Sequence, residues 1–350
     1  MFLPVKNSRR PNGAPVASQI DPADWAVLAA CWHPVAFAAE IGTEPLAVRL
    51  LDLPLVLWRG DDGITVAQDR CPHRGARVSM GALRDGNLIC PLHGFRYGPD
   101  GTCRKVPALA STASISKRLC LTTYRSSVRY GLVWVCLGDE ARLPLPEWPE
   151  IEREGATVAE VPPGTWAAAA PRHVENFNDL CHIPFVHGQT FGGDEDVTVE
   201  PYDVVVTDET LSFAVDYFEQ PRASEGMAID PAQRRHRRYR YRLSLPFATA
   251  LTVEDVVSGS VFHIFDVASP VSAFESRIFQ VLVDPTGSRP PADMIDFQLR
   301  INAEDAPLIE TQRPQSLPLD VTEDVHIPAD RLSIEYRRAL ARLGLGRGTA

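Results

Sequence analysis

Two short stretches carry the residues with the plainest chemistry. Cys71-Pro72-His73 is followed, after a gap of sixteen residues, by Cys90-Pro91-Leu92-His93. Together they supply two thiolates and two imidazoles, one of each per stretch. Two Cys on one iron and two His on the other hold a [2Fe–2S] cluster of raised potential, because neutral imidazoles replace charged thiolates. Zinc is the alternative, since Cys and His also build tetrahedral Zn sites. Such sites usually pair like with like, two Cys in one loop and two His in the next; here the types are mixed within each loop.

A second set lies downstream in Glu175-Asn176-Phe177-Asn178-Asp179-Leu180-Cys181-His182-Ile183-Pro184-Phe185-Val186-His187. If residues 167–181 are helical, Glu175, Asp179 and His182 fall within about 60° of one another on a helix turning 100° per residue. His187 does not share that face. Pro184 disfavours helix at Ile183 and should break it there, letting the chain swing His187 back. Two His and one carboxylate on one face of an octahedron form the site of O2-activating non-haem Fe(II). The carboxylate must come from elsewhere. Asp305, in Asn302-Ala303-Glu304-Asp305, is the choice, with Glu304 as the alternative. A zinc hydrolase would use a similar set. An upstream one-electron carrier favours O2 activation, which consumes electrons, over hydrolysis, which does not.

Several elements must position these residues. Asp21 as N-cap and Pro22 at the first helical position open a helix within 21–40. Leu46–Leu51, Pro54–Arg59 and Ile64–Gln68 are short β-type runs, with Asp61-Asp62-Gly63 as a hairpin turn. Strands return over 119–137, so the Cys/His loops sit in a small antiparallel β-domain. Pro-rich Leu143–Glu150 reads as a linker. The domains are therefore set as a disordered tail 1–20, a cluster domain 21–148 and a catalytic domain 149–345. In the last, 197–285 is mostly strand. The basic run Arg234–Arg242 alternates with Tyr239, Tyr241 and Leu243, as a strand with one wet face does. Residues 291–311 form an amphipathic helix with Met294, Ile295, Leu299, Ile301 and Leu308 on one side. A further helix within 327–345 should expose Arg331, Arg337, Arg338 and Arg342. The fold class is α+β.

Composition bounds the function. The chain has 350 residues, 45% hydrophobic and 23% charged, and a net charge of −10. That excess of acid argues against nucleic acid as a general partner. Seven cysteines, an odd number, do not read as a disulfide scaffold. No apolar run approaches the ~20 residues of a membrane helix, and the N-terminus lacks the apolar core of a signal peptide. A cytoplasmic protein is expected. No Gly-rich dinucleotide fingerprint is present, so electrons must arrive from another protein.

The flanks C-P-H-R-G-A and C-P-L-H-G-F-R-Y-G resemble the Rieske domain of ring-hydroxylating and demethylating oxygenases. They resemble respiratory Rieske proteins less, whose additional cysteines are replaced here by Ala76 and Leu92. With N-x2-D-x2-H-x4-H and the later Glu304-Asp305, the whole chain resembles the oxygenase component of a Rieske non-haem iron oxygenase. It is similar to the short vanillate and dicamba demethylase group. Asp324–Arg331 and Tyr336-Arg337-Arg338 are similar to the saxitoxin-alkaloid hydroxylases. The resemblance implies a helix-grip-type catalytic domain whose antiparallel sheet is flanked by helices. It implies a [2Fe–2S] cluster on Cys71, His73, Cys90 and His93, and a non-haem iron on His182, His187 and Asp305. It also implies a homotrimer in which Asp179 bridges a cluster histidine of one subunit and His182 of the next, with Asn176 nearby. Electrons would come from NAD(P)H through a ferredoxin or flavin reductase, and O2 would hydroxylate or O/N-demethylate a small organic substrate. A Rieske electron carrier without oxygenase activity is the alternative. Phe262, His263 and Phe265, with the loop after His187, are the candidate substrate walls. Phe95, where Trp is frequent, offers the cluster sulfurs no hydroxyl, so a low potential is expected.

Overall fold

In the computed structural model, residues 13–60, 63–188, 190, 198–219 and 235–346 are described. Most of tail 1–20, the turn residues Asp61 and Asp62, Arg234, and most of the loop after His187 lie outside them. The chain divides into two units, Met1–Pro144 and Leu145–Ala350.

The first unit opens with α1 (Pro22–Ala29), where the Asp21 side chain accepts from Ala23 N at 2.8 Å. The helix is shorter than the sequence suggested. Pro34 cannot continue it, and the fully buried run His33–Phe37 becomes strand β1 instead. Next come β2 (Leu46–Leu50), β3 (Leu53–Gly60), β4 (Gly63–Gln68), β5 (Ala82–Arg84), β6 (Asn87–Ile89), β7 (Arg96–Tyr97), β8 (Cys103–Lys105), β9 (Arg125–Arg129) and β10 (Leu132–Cys136). They form three antiparallel sheets, β1-β10-β9, β2-β3-β4 and β5-β6-β7-β8. Trp58, Val78, Leu88, Phe95 and Tyr97 pack with Cys71 and Cys90 in one buried cluster.

The second unit is built on a seven-stranded antiparallel sheet ordered β11-β17-β16-β15-β14-β13-β12. Its strands are β11 (Thr157–Trp166), β12 (Val205–Val206), β13 (Thr210–Glu219), β14 (Arg235–Ser244), β15 (Ala248–Asp255), β16 (Val261–Ser272) and β17 (Glu275–Asp284). Sequence reasoning missed β11 because Pro162-Pro163 reads as a breaker. The pair sits where the β11–β17 register shifts, between Val161 and Gly164, on an edge strand that tolerates missing donors. In β14 the alternation holds. Tyr239, Tyr241 and Leu243 are buried, while Arg238 pairs with Asp216 at 2.7 Å, Arg242 with Glu150 at 3.8 Å, and Arg240 with Glu254.

The helices are α2 (Ala170–Phe177), α3 (Ile183–Val186), α4 (Pro291–Ile309) and α5 (Arg331–Leu343). On α4, Met294 packs against Ala159 and Val161 of β11 and Leu282 of β17. Only part of its inward face is the apolar stripe expected, Met294, Ile295 and Ile301. Leu299 and Leu308 are exposed, whereas Gln298 and Asp305 are buried. On α5, Arg337 is 3% exposed rather than free, because it pairs with Glu175 at 2.8 Å and Asp324 at 2.7 Å. No helix among the described residues is long and apolar enough to cross a membrane.

Candidate metal centres and active-site cavity

The two Cys/His loops are one turn built twice. Cys71 O accepts from Gly75 N at 2.8 Å and Cys71 N donates to Ala76 O at 2.8 Å; Cys90 O accepts from Gly94 N at 3.0 Å and Cys90 N donates to Phe95 O at 2.8 Å. Both turns need a left-handed residue at the fifth position, and Gly75 (φ 74°) and Gly94 (φ 68°) supply it without a Cβ clash. Each cysteine is thereby buried and each histidine exposed. Nδ1 of His73 and Nδ1 of His93 lie 3.2 Å apart, and Phe95 stacks on His73 at 4.8 Å. Two imidazole Nδ1 atoms beside two buried cysteines, brought together by paired loops, are the donor set that a [2Fe–2S] cluster with two Cys and two His ligands takes. Tyr97 OH lies 3.1 Å from Cys71 Sγ. Burial pushes the Tyr97 phenol upward, so it remains protonated and donates. Phe95 offers no hydroxyl, as expected, but that of Tyr97, two residues on, lies within hydrogen-bond reach of Cys71 Sγ.

In the second unit the helix does not run to Cys181. Asn178 Nδ2 donates back to Val174 O at 2.7 Å and to Thr249 Oγ1 at 3.0 Å, ending α2. Asp179 then accepts from the backbone N–H of Cys181 and His182, both at 3.0 Å. The chain thus breaks before His182, not at Pro184, which sits in the first turn of α3. His182 and His187 flank this one-turn helix with ring centroids 5.2 Å apart. Glu175 does not join them; it turns to Arg337.

Each histidine has its Nδ1 engaged by a carboxylate. His182 Nδ1 donates to Asp179 Oδ2 at 3.1 Å, and His187 Nδ1 donates to Glu304 Oε2 at 2.7 Å. The tautomer is thereby fixed, leaving a lone pair on each Nε2. Those two atoms lie 3.6 and 3.4 Å from Asp305 Oδ1. That oxygen is buried and has no hydrogen-bond partner among the described residues. Two imidazole nitrogens and a carboxylate oxygen within 4.8 Å of one another are a donor set that fits a divalent metal. Burial works against the Asp179 charge, but His182 and the backbone N–H groups hold its carboxyl below the usual range. Glu304 is not a third ligand in this geometry. It holds His187 and accepts from Thr190 Oγ1.

A cavity of about 490 Å³ opens beside these residues and includes Asn176, Asp179, Phe177 and Ile183. Its sheet wall carries Tyr239, Tyr241, Leu251, Phe262 and Ile264; its α4 wall carries Phe297, Gln298, Ile301 and Asn302. Of the substrate residues expected, Phe262 lines the cavity. His263 and Phe265 do not, because alternation along β16 turns them to the opposite face. There His263 bonds Thr252 Oγ1 at 2.9 Å and Phe265 packs on Trp148 at 5.0 Å. Sequence reasoning missed Gln298 and Asn302. The signal was present: 298, 302 and 305 share one face of α4, the spacing already used for 175, 179 and 182.

Paired loops offering two Cys and two His, together with a centre of two His and one carboxylate in the same chain, define an enzyme that couples one-electron supply to O2 activation. Residues 31–124 match the family model of the Rieske [2Fe-2S] domain, and residues 166–345 match that of the vanillate O-demethylase oxygenase C-terminal domain. Methylxanthine N1-demethylase NdmA of Pseudomonas putida is 32% identical over 89% of this chain and 88% of its own. Methylxanthine N3-demethylase NdmB of the same organism is 30% identical, covering 90% and 89%. The structure of Pseudomonas putida CBB5 NdmA with caffeine superposes with a TM-score of 0.79 at 29% identity, covering 89% and 90%. The chain belongs to the Rieske non-haem iron oxygenases, as an oxygenase α-subunit. It is an O2-dependent oxidoreductase acting on small organic substrates, with a Rieske cluster, a catalytic non-haem iron and electrons from a separate reductase.

Proposed function

We propose that this oxygenase hydroxylates a methyl group borne by nitrogen or oxygen on a small ring compound, releasing formaldehyde. In balance, the C–H bond, O2, two electrons and two protons give C–OH and water; the N- or O-hydroxymethyl product then splits into N–H or O–H and formaldehyde. The observation that carries this reading is the orphaned Asp305 Oδ1 facing two oriented Nε2 atoms at the wall of a largely apolar cavity.

Bound Fe(II) would supply open positions for O2, and the cluster the electrons. His182, His187 and Asp305 would hold that iron, and Cys71, His73, Cys90 and His93 the cluster. Asp179 and Glu304 keep the proton on each Nδ1, so that each Nε2 stays a donor. Phe262, Phe297, Tyr241 and Leu251 exclude water from the reacting carbon. Asn176 offers a polar side chain at the same wall. The working form is a homotrimer in the cytoplasm, fed from NAD(P)H by a ferredoxin or flavin reductase. In it Asp179 accepts from His93 or His73 of a neighbouring subunit as well as from His182.

Metal and product analysis tests the reading. Anaerobically purified protein should hold about three Fe and two labile sulfides per chain. With a reductase, N-methyl or O-methyl ring compounds should yield formaldehyde in step with O2 uptake. Zinc at the second site, or O2 uptake that never yields oxidised product from any such compound, would overturn it.

A further inference from the structure

Behind the cavity wall runs a chain of buried polar side chains whose direction is set by one carboxylate. Asp266 on β16 is 1% exposed and accepts from His173 Nε2 at 2.8 Å and from Gln280 Nε2 at 2.9 Å. A carboxylate can only accept, so Gln280 must turn its amide nitrogen toward it. Gln280 Oε1 then faces α4 and accepts a hydrogen bond from Asn302 Nδ2 at 2.7 Å. Asn302 is oriented in turn, and its Oδ1 accepts a hydrogen bond from Gln298 Nε2 at 3.0 Å. Gln298 is the last member. It is 5% exposed, lines the cavity, and its Oε1 accepts no hydrogen bond from any described residue.

We infer that this relay fixes Gln298 Oε1 as a hydrogen-bond acceptor in the cavity, so that the ligand it selects carries an N–H or O–H donor there. Rotation of the Gln298 amide would set its nitrogen against nothing and its oxygen against Asn302 Oδ1. The same flip at every amide would end by pointing Gln280 Oε1 at Asp266, two acceptors face to face in a buried site. The orientation therefore holds across four side chains. A substrate methylated at that point leaves the acceptor buried and unpaired, which is the stronger form of discrimination. Gln298 precedes Asp305 by seven residues, about 10 Å along the helix, so the donor and the oxidised carbon lie at separated ends of the ligand. The inference rests on reading this cavity as the substrate site.

The test is direct binding to iron-loaded protein, by anaerobic calorimetry, of matched pairs differing by one methyl group: theobromine and caffeine, 2-pyridone and its N-methyl derivative, guaiacol and veratrole. The donor-bearing member of the pairs that bind should be held about tenfold or more tightly. Gln298→Met should abolish that difference. Asp266→Asn keeps an oxygen for His173 but presents an N–H to Gln280, which lets the relay reverse and show an N–H to the cavity. Preference should then swing toward the methylated members, an outcome that loss of packing alone does not produce. Equal or tighter binding of the methylated members by the unaltered protein would overturn the inference. So would a panel from which no donor-bearing member binds, or unchanged preference in both folded, iron-loaded variants. Formaldehyde release without donor preference would sink the relay and leave the demethylase reading intact; donor preference without O2 chemistry would do the opposite.

Discussion

Glu304 and Asp305 are adjacent on α4 and alike in chemical type, yet one faces His187 Nδ1 and the other the pair of Nε2 atoms. Their roles are divided by direction alone. Glu304→Gln should weaken Fe(II) binding about 10- to 100-fold, as removal of such a partner does elsewhere, read by competition with a chelator. Tyr97 makes a second residue-scale prediction. A hydrogen bond to a cluster sulfur favours the reduced state, so Tyr97→Phe should lower the cluster's midpoint potential in a redox titration. An unchanged potential would mean the hydroxyl does not donate to Cys71. The Cys/His loops stood out in the sequence because their chemistry and spacing are rare together. His263 was misjudged because the parity of a strand is decided by where it starts, and a slip of one residue exchanges its faces.

At the scale of elements, the break that separates His182 from α2 is made by side chains, not by proline. Asn178 bonds back to Val174 and across to Thr249, and Asp179 caps the N–H groups of Cys181 and His182. The sequence pointed to Pro184 because proline is the stronger local signal; which of the two acted depended on contacts with β15 that no local pattern contains. The fastening of α2 to α5 is a second hidden feature. Arg337 buries its guanidinium between Glu175 and Asp324. Arg337→Met should destabilise the fold by about 2 kcal/mol, since Glu175 loses a two-point charged hydrogen bond and keeps only Arg172 at 3.8 Å; thermal denaturation measures it. The amphipathic reading of α4 held for Met294, Ile295 and Ile301 and not for Leu299 and Leu308. Its inward face also carries Gln298, Asn302 and Asp305 where it meets the cavity, which hydrophobicity alone does not find.

At the scale of the molecule, supply and consumption of electrons are carried by separate units of one chain, Met1–Pro144 and Leu145–Ala350. In the proposed trimer the two ends of one circuit belong to different subunits. Cys71→Ser should remove the cluster and Asp305→Ala the iron, each variant alone being inactive. Co-assembled from mixed denatured or co-expressed chains, they should regain part of the turnover if electrons cross between subunits, and none if each chain serves itself. Asp179→Asn should leave both metals bound while slowing turnover severely; normal turnover would dispose of the bridging role.

Helix α4 carries Gln298, Asn302, Glu304 and Asp305 within about two turns. A helix is stiff, and each residue added or removed rotates the remainder of the element by about 100° and shifts it about 1.5 Å. A single-residue insertion between Gln298 and Asn302 would therefore turn the selecting acceptor away from the metal-binding carboxylate as one movement. Descendants of this chain can exchange the side chain at 298 to accept a new ligand, but the count of residues from there to 305 is not free to drift. Point substitution is the open route to new specificity; a change in length is a change of enzyme.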